Sequence, residues 1–227
     1  MIRFILLVFL VFGTSHSTAQ KKNTQAEIDS FALNKLNSEN LEDFRKLLEV
    51  DNKFYGWSRY YANKAYMLYK KNKTDSAKRY ADSALSNFTR LKKKYFLDEE
   101  SLLKAYMTLG YIYRNEEQYE ASTTNFLNAL EIERKYPYPY KSYIVGAIAN
   151  NHLSLGNNER AINLYQQNLK DSLYISFPRP HVVTLTRLGV LYSKNYLNHK
   201  DSAYHYFKKA ENISLATNYL NNRPKLL

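Results

Sequence analysis

Apolar residues in this chain recur at three- and four-residue spacings, which is how a helix with one buried face reads, and the blocks carrying that spacing themselves recur. The clearest block runs Tyr106-Met-Thr-Leu109-Gly110-Tyr-Ile-Tyr113 and continues through Tyr119, Ser122, Phe126 and Ala129. A second has Ile148, Ala149, His152, Gly156, Ala161 and Tyr165, and a third has Leu188, Gly189, Tyr192, Ala203, Phe207 and Ala210. A fainter copy precedes them at Ala65, Leu68, Ala77, Ala81 and Ala84. Each block reads as a helix, a short polar turn, and a second helix opened by a small residue. Those small residues, Ala77, Ser122, Ala161 and Ala203, stand 45, 39 and 42 residues apart.

The turns are Asn72–Asp75, Asn115–Gln118, Leu155–Asn158 and Asn195–Asp201. Asp or Asn in them is expected to cap the following helix, and Gly156 to take the left-handed conformation that ends the preceding one. Two proline-containing stretches, Tyr136–Tyr140 and Phe177–Pro180, separate one unit from the next, since proline closes one helix and is tolerated at the start of another. Only 6 glycines and 5 prolines, with no alternating strand-like stretch, agree with an all-α chain. A small residue early in each second helix lets the hairpin's helices approach closely. No unit can bury its apolar face alone, so neighbouring units are expected to stack.

Ahead of the repeats lie two short amphipathic segments. Ile28, Phe31, Ala32 and Leu36 share one face of Ala26–Leu36; Leu41, Phe44, Leu47 and Leu48 share one face of Leu41–Val50. Ser38 to Glu42 offers a helix start between them. The very N-terminus is different in kind. Arg3, nine apolar residues from Phe4 to Phe12, and the small-residue stretch ending Ser17-Thr18-Ala19 read as a secretory signal peptide cleaved before Gln20. The organisation is therefore 1–19 signal peptide, 20–25 flexible tether, 26–56 N-terminal helical cap or degenerate repeat, 57–217 four helix pairs, and 218–227 linker or start of a further repeat.

The chain has no cysteine, which removes disulfides, zinc–thiolate sites, cysteine nucleophiles and a lipid-bearing cysteine. Export without disulfides fits a bacterial periplasm. A net charge of +12 favours anionic partners, although Lys70-Lys71 and Lys92-Lys93-Lys94 read as solvated helix ends complementing the helix dipole. Nucleic acid is not an expected partner of an exported chain. Five scattered histidines (His16, His152, His181, His199 and His205), no phosphate-cradling glycine loop and no nucleophile elbow leave neither cofactor nor metal nor enzymatic reaction to expect.

The block Leu109-Gly110…Tyr113…Ser122…Phe126…Ala129 resembles the tetratricopeptide repeat (TPR), with Ser122 where the family usually has alanine. In the next copy His152 stands at the usual tyrosine position and Asn168 at the late alanine. The resemblance covers roughly residues 57 to 217. It implies a right-handed superhelical solenoid of antiparallel helix pairs, here with a period of about 40 residues rather than the family's 34. It also implies a protein or peptide partner, held in a groove lined by the first helix of each unit. Carried across, the groove positions are Arg59, Tyr66 and Tyr69; Lys104, Tyr111 and Arg114; Tyr143 and Asn150; and Thr186 and Lys194. Basic and aromatic residues at these places suit an acidic or C-terminal segment. Only Lys104 and Asn150 match in type the family's two-carboxylate clamp.

The Ala-Gln end of the leader, the Lys/Asn/Tyr-rich composition and the long-period repeats with Asp-Ser-Ala are similar to periplasmic sensor regions of Bacteroidetes signalling proteins. There, histidine-kinase or helix-turn-helix modules follow a membrane span. That similarity implies signal transduction and a membrane tether through a downstream segment. The alternatives are a freestanding periplasmic scaffold or assembly factor, and self-association into a homo-oligomer. Asp75-Ser76-Ala77, Asp82-Ser83-Ala84 and Asp201-Ser202-Ala203 also resemble a periplasmic O-glycosylation signal, against which stands the simpler reading of two of the three as helix-start capping residues.

Overall fold

The computed structural model describes residue 36 and residues 39–51, 56–91, 96–135, 140–170, 178–193 and 199–217. The expected signal peptide, the tether, the Ala26-to-Leu36 segment except Leu36, and residues 218–227 lie outside them. Among the described residues there are nine helices and no strand: α1 Leu41–Asp51, α2 Trp57–Lys70, α3 Thr74–Thr89, α4 Phe96–Asn115, α5 Tyr119–Lys135, α6 Lys141–Ser154, α7 Asn158–Leu169, α8 Pro178–Ser193 and α9 Lys200–Ala216. The chain forms two compact units, Met1–Thr108 and Leu109–Leu227, with α4 contributing to both. Helices consecutive in the chain pack on one another within each unit. This is the all-α, helix-pair architecture that the periodicity predicts.

In the first unit, Leu41, Phe44 and Leu48 of α1 meet Tyr60 of α2, with Trp57, Tyr61 and Tyr80 packed around them. The Trp57 ring lies edge-on to Tyr60 at 5.7 Å and stacked on Tyr61 at 5.4 Å, so this aromatic cluster serves as core. Beyond it, Ala62, Ala84 and Ala105 bring α2, α3 and α4 together. In the second unit, Ala149, Ala161, Ile162, Tyr165 and Leu188 form one core, and Val182, Leu185 and Ala210 another.

Three hairpin turns share one backbone geometry. Asn72, Glu117 and Gly156 each take a positive φ, at 57°, 60° and 76°. The following amides donate back across the turn, from Lys73 to Leu68 O, Gln118 to Tyr113 O and Asn157 to His152 O. The paired shorter bonds run from Asn72 to Tyr69 O, Glu117 to Arg114 O and Gly156 to Leu153 O. This is the Schellman ending of a helix. Each second helix then opens with an amide donated by the small residue itself: Ala77 to Lys73 O, Ser122 to Gln118 O, Ala161 to Asn157 O and Ala203 to His199 O. The sequence interval is thus a structural register.

The expected side-chain caps do not form. Lys73, Asn157 and His199 occupy the N-cap positions without a side-chain cap hydrogen bond. Asp75, Glu159 and Asp201 fall inside the first turn instead, where negative charge complements the helix dipole. At the first turn the Schellman geometry sets the second helix's start two residues earlier than Asp75-Ser76 would.

A β-carbon at Gly156 would meet nothing within 4 Å, so the cost of Gly156→Ala is that of the left-handed backbone, about 1–2 kcal/mol. Glu117→Gly should relieve the same strain and raise stability by up to about 1 kcal/mol. Urea denaturation of both variants checks the pair, and equal effects of one sign would contradict the turn assignment.

The α1–α2 contact carries a pH dependence. Glu42 accepts hydrogen bonds from Lys64 Nζ at 2.5 Å and Arg45 Nε at 2.8 Å. These bonds, Lys64's first, lower its pKa from 4.5 to about 2. A lowered carboxyl pKa stabilises the folded state while the carboxylate is charged, so the contribution is complete above pH about 4.5 and is lost as pH falls toward about 2. The protection of α1 amides against hydrogen exchange, relative to their intrinsic rate at each pH, should fall across that window, and Glu42→Gln should flatten the response.

Candidate functional site

The first helices of the repeats, α2, α4, α6 and α8, carry every groove position that the resemblance implies among the described residues. In the first unit Tyr66 is exposed and Tyr69 half-buried on α2. Lys104 of α4 is half-buried, with its Nζ 2.9 Å from Glu100 Oε1. Lys194 lies outside the described residues.

Arg59 departs from the expectation. It is only 2% exposed, and its Nε donates to Oδ1 of the fully buried Asp98 at 3.1 Å. Arg59 and Tyr66 are seven residues apart and so share a face of α2, yet only Tyr66 reaches solvent. The cause is the length of α4. At 20 residues it is the longest of the described helices, and its first turn carries Asp98 over the start of α2. The same length underlies the 45-residue interval between Ala77 and Ser122. Arg59 is a core ion pair and not a groove residue.

In the second unit, Tyr111 and Arg114 are one turn apart on α4. The Arg114 guanidinium stands 5.3 Å from the Tyr111 ring centre, which itself meets Phe126 edge-on at 5.0 Å. Stacking of this kind holds a cation in place while leaving its outer edge available. On α6, Tyr143 and Asn150 are half-buried. Asn150 Oδ1 accepts from the Tyr165 hydroxyl at 2.9 Å, and its amide donates to Gly146 O at 2.8 Å. Burial pushes the Tyr165 phenol up to about 12, so Tyr165 remains a donor that orients Asn150.

Thr186 is exposed on α8, where its hydroxyl donates to Val182 O. Its neighbours are a surface that the sequence does not announce. Val183 and Val190 are 42% and 46% exposed and lie on the same α8 face as Thr186 and Arg187. Valines spaced seven apart are legible as a face, but hydrophobicity alone assigns them to the core.

The departures from the repeat pattern have a physical account. Asn151 Nδ2 donates to Ser122 Oγ at 2.8 Å, and Ser122 Oγ donates to Gly110 O at 2.7 Å. This buried relay ties α4, α5 and α6 together. Asn168 likewise donates to Ser142 O at 3.0 Å, joining α7 to α6. In both places a polar group replaces a small apolar one and finds its partner on a neighbouring helix.

The histidines do not converge. His152 is half-buried with its pKa lowered by burial and then by Arg160, while His199 and His205 are exposed. Among the described residues no group of three or more His, Asp or Glu could hold a metal. None of the described helices is long and apolar enough to cross a membrane.

Paired helices with a shared turn geometry and a fixed small-residue register define a helical-repeat protein. Residues 103–136 match the family model for the tetratricopeptide repeat. That stretch holds the Gly110–Ser122–Phe126 block, and it supports a protein–protein interaction module. Among solved structures the chain is similar to BtubC (BKLC) from P. vanneervenii at 16% identity and a TM-score of 0.49, covering 90% of this chain and 96% of that one. A likeness so distant carries no functional argument. No curated protein matches.

Proposed function

We propose that this chain is an exported helical-repeat interaction module, the sensory or scaffold portion of a bacterial signalling protein. It holds a protein or peptide partner on the exposed faces of its first helices. The observation that carries this reading is the α8 face, where Val183, Thr186, Arg187 and Val190 present apolar, polar and cationic side chains to solvent together. Exposed apolar side chains beside a charge are how an interaction surface differs from a solvated one. Arg114 on its Tyr111 platform offers a second such anchor on α4. Their positive charge favours an acidic partner. The leader-like first 19 residues support export, and the resemblance to periplasmic sensor regions supports signalling; a freestanding periplasmic scaffold would use the same surface.

A photoreactive amino acid at Val183 should cross-link a protein partner in intact cells, whereas one at exposed Lys208 on α9 should not. Equal cross-linking at both positions would remove the α8 assignment. Fusing alkaline phosphatase after the leader tests export separately, because the reporter is active only outside the cytoplasm.

A further inference from the structure

The second unit has a cleft on the side of α6 that the groove residues do not occupy. Lys141, Val145, Ile148 and His152 follow one another at helical spacing and lie roughly opposite Tyr143 and Asn150. With α5 and α7 as walls, they line a space of about 400 Å³. Its middle is apolar: Leu127 and Leu130 come from α5, Val145 and Ile148 from α6, and Leu164 from α7. Leu127 is 51% exposed there.

Cations stand at both ends. Arg134 and Lys141 mark one end, at the close of α5 and the start of α6. Arg160 marks the other, at the start of α7, beside His152 near the close of α6, whose lowered pKa favours the neutral imidazole. Among the described residues no carboxylate lines the cleft. Arg134 does meet Glu131 at 3.5 Å, but that pair is exposed and of the kind that exchanges with a competing carboxylate at little cost. Buried His152 Nδ1 has no hydrogen-bond partner. From Lys141 to His152 the helix rises about 16 Å.

We propose that this cleft binds a peptide segment of a partner protein in which acidic residues flank an apolar stretch about 16 Å long. The two-ended charge decides the occupant. A fatty-acid anion has one carboxylate and would leave one cationic end unmatched. Thr123 and Gln167 add hydroxyl and amide groups to the walls, which suit a peptide's own amides better than hydrocarbon. The site is separate from the first-helix groove, so the module would hold two segments at once.

The test uses the full chain and a fluorescein-labelled helical peptide with Glu pairs flanking a Leu/Ala core, read by fluorescence anisotropy. Controls are the same peptide with Lys in place of Glu, and dodecanoate as competitor. The acidic peptide should bind, and Arg134→Glu and Arg160→Glu should each weaken it roughly five- to tenfold. Leu127→Ser, at an exposed position, should weaken it without touching charge. Arg114→Ala with Tyr143→Ala should leave binding unchanged, which separates failure here from failure of the groove reading. Binding of the Lys peptide with equal affinity, displacement by dodecanoate that responds to only one of the two arginines, or no binding at all would overturn the proposal.

Discussion

Asp98→Ala should lower the unfolding free energy by about 3–5 kcal/mol, because it strands a cation in the interior. Asp98 is fully buried and Arg59 is 2% exposed, with 3.1 Å between Oδ1 and Nε. In that setting the two charges compensate one another's loss of water, and removing one weakens the compensation of the other. The pair itself is a different matter from its breakage. Replacing both together, as Arg59→Met with Asp98→Leu, should recover most of the loss, since an apolar pair of similar volume is often neutral or better than a buried ion pair. Urea denaturation of the two single variants and the double variant forms the cycle. A single-variant cost under about 1 kcal/mol would mean that water reaches the pair.

The other large effect lies in a close approach between α4 and α5. Phe126 is fully buried, and a β-carbon built on Gly110 would come 2.9 Å from its ring. Phe126→Ala should therefore cost about 3–5 kcal/mol through lost burial and the cavity left behind. Gly110→Ala pushes on a ring with nowhere to go and should cost about 1–3 kcal/mol, partly offset by up to about 1 kcal/mol of helix propensity. Combining Gly110→Ala with Phe126→Leu should cost less than the two singles added, since the smaller side chain makes room for the new methyl. Gly189 supplies the comparison. A β-carbon there would sit 2.7 Å from Phe207, but Phe207 is 38% exposed and can swing outward. Gly189→Ala should be the milder change in the same denaturation series.

The helix pairs were legible in the sequence because their signal is doubly periodic: three to four residues within a helix and about 40 between units. Ala77, Ser122, Ala161 and Ala203 hold the same place in the backbone hydrogen-bond pattern, so the ruler drawn through them measures a real register. Turn geometry was legible only at Gly156. Asn72 and Glu117 adopt the same left-handed conformation, and nothing about a glutamate announces it. The expectation of Asp and Asn caps failed for a related reason. Helix starts are set by how the previous helix ends, and that is tertiary information.

Surface positions were harder still. Arg59 has the right spacing for a groove residue and is buried, because exposure depends on the length of α4. Val183 and Val190 have core-like chemistry and are exposed, because nothing among the described residues covers that face of α8. A sequence states which residues share a face. It does not state which faces stay open.

The central claim is that the first-helix faces of the second unit hold a protein partner. It is tested most directly by quantitative affinity capture from periplasmic extract, comparing the unaltered chain with an Arg114→Ala/Tyr143→Ala/Val183→Ser variant. Arg59 is left intact so that lost binding is not confused with lost folding. The account predicts that partners specific to the unaltered chain fall roughly tenfold or more, with the thermal midpoint unchanged. Equal recovery of the same partners by both proteins would contradict it.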